Sequence, residues 1–220
     1  MPLTQYHFAN VVSAFFEMPR DNARELLPSH LQPLEIRHGQ SVLQVTAFEF
    51  TKSVVGPYKE IYLAVLVPPV VHAGGAMPKS ALFPFMLATT TTPAREHAIE
   101  RWHLPHYMKD VSIDFEHTGK RVTVRVEDAG SPVLDFAISE HAWTTADDLY
   151  QSFMIKDAER YKVDVRMAGR FTQHEEETGE LTMREHPLCA RIRIDEVSSY
   201  PFREIWMKDG VQTFRELELM

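Results

Sequence analysis

Apolar and polar residues alternate with a period of two through most of this chain, which confines it to a sheet-rich fold. Val111, Ile113 and Phe115 alternate with Ser112, Asp114 and Glu116. After Thr118-Gly119-Lys120 the pattern resumes, with Val122, Val124 and Val126 set against Thr123 and Arg125. Two half-buried strands joined by a glycine-bearing turn make a hairpin. Val42, Val45, Ala47, Phe48 and Phe50 are interleaved with Gln44, Thr46 and Glu49, with one change of frame near Ala47. Residues 132–138, 149–156, 161–171 and 188–197 continue as strands, and Thr178-Gly179 and Asp209-Gly210 supply turns. Residues 61–67 are apolar throughout, as a strand buried on both faces requires.

Helical signals are few. Asp21 or Asn22 can cap a turn or two that Pro28 stops, and Thr92-Pro93 forms an N-cap and first-turn pair. Beyond it Ala94, Ala98, Ile99 and Trp102 share an apolar face as far as Pro105. The expected architecture is therefore mainly β (α+β). It is a curled antiparallel β-barrel or cone with a few short helices, formed by residues 1–220 as a single domain.

Composition narrows the chemistry. The single cysteine, Cys189, excludes an internal disulfide framework and any multi-cysteine metal site. A net charge of −8 argues against a general nucleic-acid or anionic-membrane surface. The longest apolar run, residues 61–71, carries Pro68 and Pro69 and is far shorter than the roughly 20 residues of a membrane helix. The first ten residues lack the basic stretch and apolar segment of a signal peptide, so a cytoplasmic protein is expected. Histidines number 11 and lysines 8, which leaves lysine chemistry few places.

Glycine-rich phosphate loops, the G-x-S-x-G elbow and H-E-x-x-H are all absent. Glu96, Glu100 and His103 are spaced to share a helix face and, with His106, suggest a metal set. A solvated helix face explains them as well, and Pro105 separates His106 from the helix. No metal and no cofactor is expected. The acidic run His174-Glu175-Glu176-Glu177 reads as a solvated hairpin tip, and Cys189 as a buried small hydrophobe in a strand. Glu60 stands out, because alternation from Tyr58 puts it on the side of Tyr62 in a very apolar strand. A carboxyl group there must be paired, protonated or facing a wet cavity, which makes it a pocket candidate.

Several segments, taken in order, resemble the acetoacetate decarboxylase superfamily. Glu25-Leu26-Leu27-Pro28 and Leu31-Gln32-Pro33-Leu34-Glu35 are similar to the segment after that family's first strand. Gly56-Pro57-Tyr58-Lys59-Glu60-Ile61 resembles its pocket-wall motif. Residues 94–107, with Trp102-His103-Leu104-Pro105, resemble its helix-to-loop segment. The likeness covers roughly residues 20–115 and implies a β-rich cone around a central cavity, a small-molecule substrate and a homo-oligomer. It also implies a pair of lysines, one of which forms a Schiff base with a ketone. Here His106 and Tyr107 stand at those two positions, and neither imidazole nor phenol forms a stable iminium. Lys109 is the nearest amine. The family's carboxylate-binding arginine falls at Glu17, with Arg20 the closest alternative, while Glu60 matches its pocket glutamate. Tyr58 and Trp102 complete the expected substrate surroundings.

Two function classes follow. The first is an enzyme on a small oxygenated metabolite, with Glu60 and His106 or Tyr107 as acid and base. The second is a non-catalytic binding module on the same fold. Decarboxylation of a β-keto acid through Lys109 ranks behind both.

Overall fold

The computed structural model describes residues 3–220. In chain order it runs β1 (Thr4–Pro19), α1 (Arg20–Leu26), β2 (Gln40–Lys52), β3 (Tyr58–Val67), β4 (Ser80–Thr89), α2 (Thr92–Trp102), β5 (Ser112–Thr118), β6 (Arg121–Asp128), β7 (Ser131–Ser139), β8 (Thr144–Lys156), β9 (Glu159–His174), β10 (Glu180–Met183), β11 (Pro201–Phe214) and β12 (Glu218–Leu219). The larger sheet has the order β11-β1-β2-β3-β4-β8-β9-β12, and β11 also pairs with β9, which closes seven strands into a barrel. The smaller sheet, β10-β7-β6-β5, lies outside it.

Among the described residues every ladder is antiparallel except one. Between β4 and β8 the chain leaves the barrel to form α2 and β5 to β7, and it returns beside β4 in the parallel sense. That seam holds three residue pairs, Ser80–Tyr150, Ala81–Gln151 and Leu82–Ser152. A long crossover is what a parallel neighbour needs.

Period two sorts the barrel side chains into two cores. From β1, Val12, Ala14, Phe16 and Met18 point outward, and from β3 so do Ile61, Leu63 and Val65. They meet Val122, Val124, Val126, Leu134, Phe136 and Ile138 of the smaller sheet. The opposite faces, including Val11 and Phe15 of β1 and Ala64 and Leu66 of β3, turn into the barrel. Residues 61–67 of β3 are therefore apolar on both sides because both are covered. Each fully buried Phe or Leu in these cores contributes about 1.5–3 kcal/mol.

Three local expectations are corrected. Residues 188–197 form turns and a short 3-10 segment, Ile194–Glu196, and not a strand. Cys189 is still buried there, and burial pushes its thiol up to about 12. The helix cap is Thr91, whose side chain accepts the N–H of Ala94, and His103 in the left-handed region ends α2 before Pro105 is reached. Asp209-Gly210 is a bulge inside β11 and not a turn between strands, the register with β9 shifting between Lys208 and Val211.

The bulge explains the glycine. A Cβ on Gly210 would lie 2.3 Å from the carbonyl oxygen of Ala168 and 2.4 Å from Phe8. Gly210→Ala should therefore destabilise the chain by about 2 kcal/mol or more, read as a lower urea midpoint.

Candidate functional site

The barrel encloses a cavity of about 80 Å³. Inward positions of the strands supply its wall, and Trp102 and Leu104, at and just beyond the end of α2, line it as well. The Trp102 indole donates to the Tyr6 hydroxyl at 2.7 Å, and that hydroxyl lies 2.6 Å from Nε2 of His97. Two long-range hydrogen bonds thus hold α2 against the barrel.

Most of the lining is apolar, with a connected set of neutral polar groups on one side. Ser13 Oγ is 2.8 Å from Thr46 Oγ1. Gln44 donates from Nε2 to Thr46 Oγ1 at 3.0 Å and to the Tyr62 hydroxyl at 2.8 Å. Its Oε1 is buried without a partner. An unpartnered buried acceptor is costly, and a ligand that donates a hydrogen bond relieves that cost.

Glu60 is the one carboxyl group in the lining, and no lysine, arginine or histidine accompanies it. Its neighbour Ile61 faces the outer core, so the alternation of β3 turns Glu60 inward beside Tyr62. Burial pushes its carboxyl up to about 8, partly opposed by the Tyr58 hydroxyl. The shift favours the protonated carboxyl at neutral pH. Burial raises the Tyr58, Tyr62 and Tyr150 hydroxyls well above the ordinary tyrosine value, and the first two are raised further by Glu60. All three phenols remain protonated.

The residues expected at the site therefore separate. Glu60 and Trp102 line the cavity, and Tyr58 backs Glu60 from behind. His106 does not join them. Residues Pro105 to Tyr107 run along Leu87 of β4 through two backbone hydrogen bonds, and the His106 ring turns onto its own chain, with Nδ1 2.6 Å from the Tyr107 carbonyl oxygen. Burial lowers its pKa. Tyr107 is also diverted. Its hydroxyl donates to Asp128 at 2.5 Å, and Asp128 also meets His186 at 3.2 Å and Lys109 at 3.6 Å. The expected cooperation of Glu60 with His106 or Tyr107 is thus not built, because the backbone pairing with β4 sends both rings away from the cavity.

Lys109 is exposed, and the Asp128 carboxylate raises its pKa, the opposite of what a Schiff-base amine requires. Lys162, the one buried lysine among the described residues, lies on β9 between cavity-facing Val163 and the outer surface, 2.9 Å from Glu218 and 3.7 Å from Asp164. Glu17 and Arg20 lie beyond the lining stretch Val11–Phe15, where Glu17 pairs with Arg37 and Arg20 with Glu35 at 2.8 Å. Glu96, Glu100, His103 and His106 do not converge on a metal position.

The cavity wall also takes in Gln44, Thr46, Ser13 and Tyr150, which the sequence does not single out. In the sequence, Gln44 and Thr46 look like the solvent face of a half-buried strand. Inside a closed barrel the polar face of β2 is the cavity wall.

No protein-family model matches the chain, and no curated protein does. Solved structures do. Acetoacetate decarboxylase from Legionella pneumophila aligns over 100% of this chain and 88% of its own, at 13% identity and a TM-score of 0.69. An acetoacetate decarboxylase-like enzyme from Sphingomonas wittichii RW1 covers 99% and 92%, at 12% identity and 0.68. The enduracididine biosynthesis enzyme MppR, in a complex with pyruvate, covers 99% and 90%, at 13% identity and 0.64. The closed barrel, the helix against its side and the flanking sheet together give this chain the acetoacetate decarboxylase-like fold.

Proposed function

We propose that the barrel is a binding site for a small, neutral and largely apolar molecule that donates a hydrogen bond. One observation carries this reading: the cavity lining has no cationic side chain, and burial raises the pKa of its single carboxyl group, Glu60. A carboxylate substrate entering it would lose its hydration with no counter-charge, at a cost of several kcal/mol. A ketone would meet no amine. The free Gln44 acceptor and the Tyr62 and Tyr150 hydroxyls instead suit an alcohol, phenol or amide. About 80 Å³ is roughly half of the 150 Å³ of a cavity that accepts benzene, so one small ring is the upper size limit and enters only as side chains of the lining give way.

The test compares phenol, toluene and benzoate by calorimetry and by chemical-shift changes in the barrel strands. Phenol is expected to bind with a Kd of about 1 mM or tighter, toluene more weakly and benzoate not measurably. Benzoate binding as tightly as phenol overturns the reading. Borohydride treatment with acetone should leave the chain mass unchanged, and an adduct on any lysine would restore the Schiff-base alternative.

A second reading rests on the raised pKa of Glu60. A protonated carboxyl facing the cavity can act as a general acid toward a bound oxygen. Turnover would then fall on an alkaline limb near pH 8, and Glu60→Gln would abolish it while phenol still bound.

A further inference from the structure

A second cluster of side chains, outside the barrel cavity, is arranged for a different kind of ligand. His141, in the link between β7 and β8, stands against His174, the last residue of β9, with ring centroids 3.8 Å apart. Glu176 brings a carboxylate oxygen to 3.6 Å from Nε2 of His141. One donor atom from each of the three residues lies within 4.8 Å of the others, and among the described residues no other trio of metal-ligating side chains does this.

The geometry behind His174 is specific. Its Nε2 lies 2.9 Å from a Glu204 carboxylate oxygen and 3.0 Å from the Ser139 carbonyl oxygen. Both partners are acceptors, so Nε2 carries the proton and the lone pair is left on Nδ1. Glu204 is itself buried and fixed, accepting from the backbone N–H groups of Ser139 at 2.8 Å and Gly179 at 2.6 Å. A fixed carboxylate behind an imidazole is the arrangement that orients metal-binding histidines and raises their basicity. Nδ1 has one competing contact, the backbone N–H of Glu176 at the long distance of 3.4 Å. His141 is anchored through its own backbone N–H, which donates to Thr172 Oγ1 at 3.1 Å.

We propose that His141, His174 and Glu176 bind a divalent transition metal of the Zn²⁺ class, with water in the remaining position. Two imidazoles and one carboxylate match zinc and its neighbours, whereas Ca²⁺ and Mg²⁺ favour all-oxygen sites. The His174 side chain is 5% exposed, that of His141 31% and that of Glu176 64%, so the set runs from a rigid inner ligand to an open outer one. The ion would tie together two passages of the chain between the barrel and the smaller sheet, β7 to β8 and β9 to β10. None of its ligands lines the barrel cavity, so its role is to staple this junction.

The test uses the full chain, stripped with a chelator and titrated with ZnCl₂. One equivalent is expected to bind with a Kd on the order of 10 μM or tighter, and saturation should raise Tm by about 3 °C or more. His141→Ala and Glu176→Gln lie at the surface and leave the Glu204 network intact. Each should weaken binding by about tenfold or more and remove most of the Tm shift. His186→Ala, which alters the separate Asp128 cluster, should bind as the parent does. Co²⁺ should give the d–d absorption of a four-coordinate site, and His141→Ala should lose it. The proposal is overturned if less than one equivalent binds at about 100 μM Zn²⁺, if His141→Ala binds as tightly as the parent, or if His186→Ala loses the metal instead.

Discussion

At pH 9, Glu60→Gln should be more stable than the parent chain by up to about 5 kcal/mol, while at pH 4 the two should be nearly equal. The expectation follows from the direction of the Glu60 shift, from an ordinary 4.5 in the unfolded chain to about 8 in the fold. Below pH 4.5 both states hold the proton and the group contributes nothing to the pH dependence. Between 4.5 and 8 the unfolded chain has released the proton while the native state keeps it. Native stability therefore falls with rising pH by up to about 1.4 kcal/mol per unit. Above 8 the carboxylate must be charged inside the barrel, and the full loss is reached. Gln keeps the shape and hydrogen-bonding capacity without this coupling. The figure is an upper bound, since a carboxylate that faces a cavity can draw water to itself. Urea unfolding at pH 4, 6.5 and 9 measures the difference, and a constant gap across the three pH values would remove the case for a protonated Glu60.

Filling the cavity should have the larger effect on binding. Val165 of β9 lines the wall between the Tyr150 and Phe214 positions with which it pairs, so a phenyl group in its place projects into the open volume. Val165→Phe is expected to reduce phenol affinity by about 100-fold or more, because the ring takes the volume the ligand needs. Its cost in stability should stay within about 1–3 kcal/mol, since part of the added carbon enters space that is already empty. Calorimetry and a far-ultraviolet dichroism spectrum of the variant measure both. Unchanged phenol binding in a folded Val165→Phe chain would move the binding site out of the barrel.

Much of this architecture is legible in the residues themselves. The hairpin of β5 and β6 follows from its alternating valines and the Gly119 turn, and residues 61–67 of β3 read as doubly buried because no polar group but the Tyr62 hydroxyl interrupts them. The same alternation turns Glu60 and Tyr62 to one side. That His106 and Tyr107, and not lysines, follow Leu104-Pro105 is equally visible, and no lysine reaches the cavity lining. Other features escape such reading. Asp209-Gly210 has the composition of a turn, yet β11 continues through it because β1 and β9 pair with it on either side of the bulge, and Phe8 and the Ala168 carbonyl leave no room for a side chain on Gly210. The order of residues around His106 and Tyr107 suggests a pocket pair. Hydrogen bonds from that segment to Leu87 then set its path, and Asp128, from a strand of the other sheet, claims the Tyr107 hydroxyl.

What the sequence by itself determined is that each strand has two unlike faces, and where a carboxyl group would be forced into apolar surroundings. It could not say what each face meets. A period of two distinguishes the two sides of a strand but is blind to whether the polar side borders solvent or the interior of a closed barrel. Closure of β11 onto β9 decided that, making Gln44, Thr46 and Tyr62 a cavity wall instead of a wet surface. It took the packed structure, too, to bring His141 beside His174 and Glu176, since residues far apart in the chain converge only when the strands that carry them are paired.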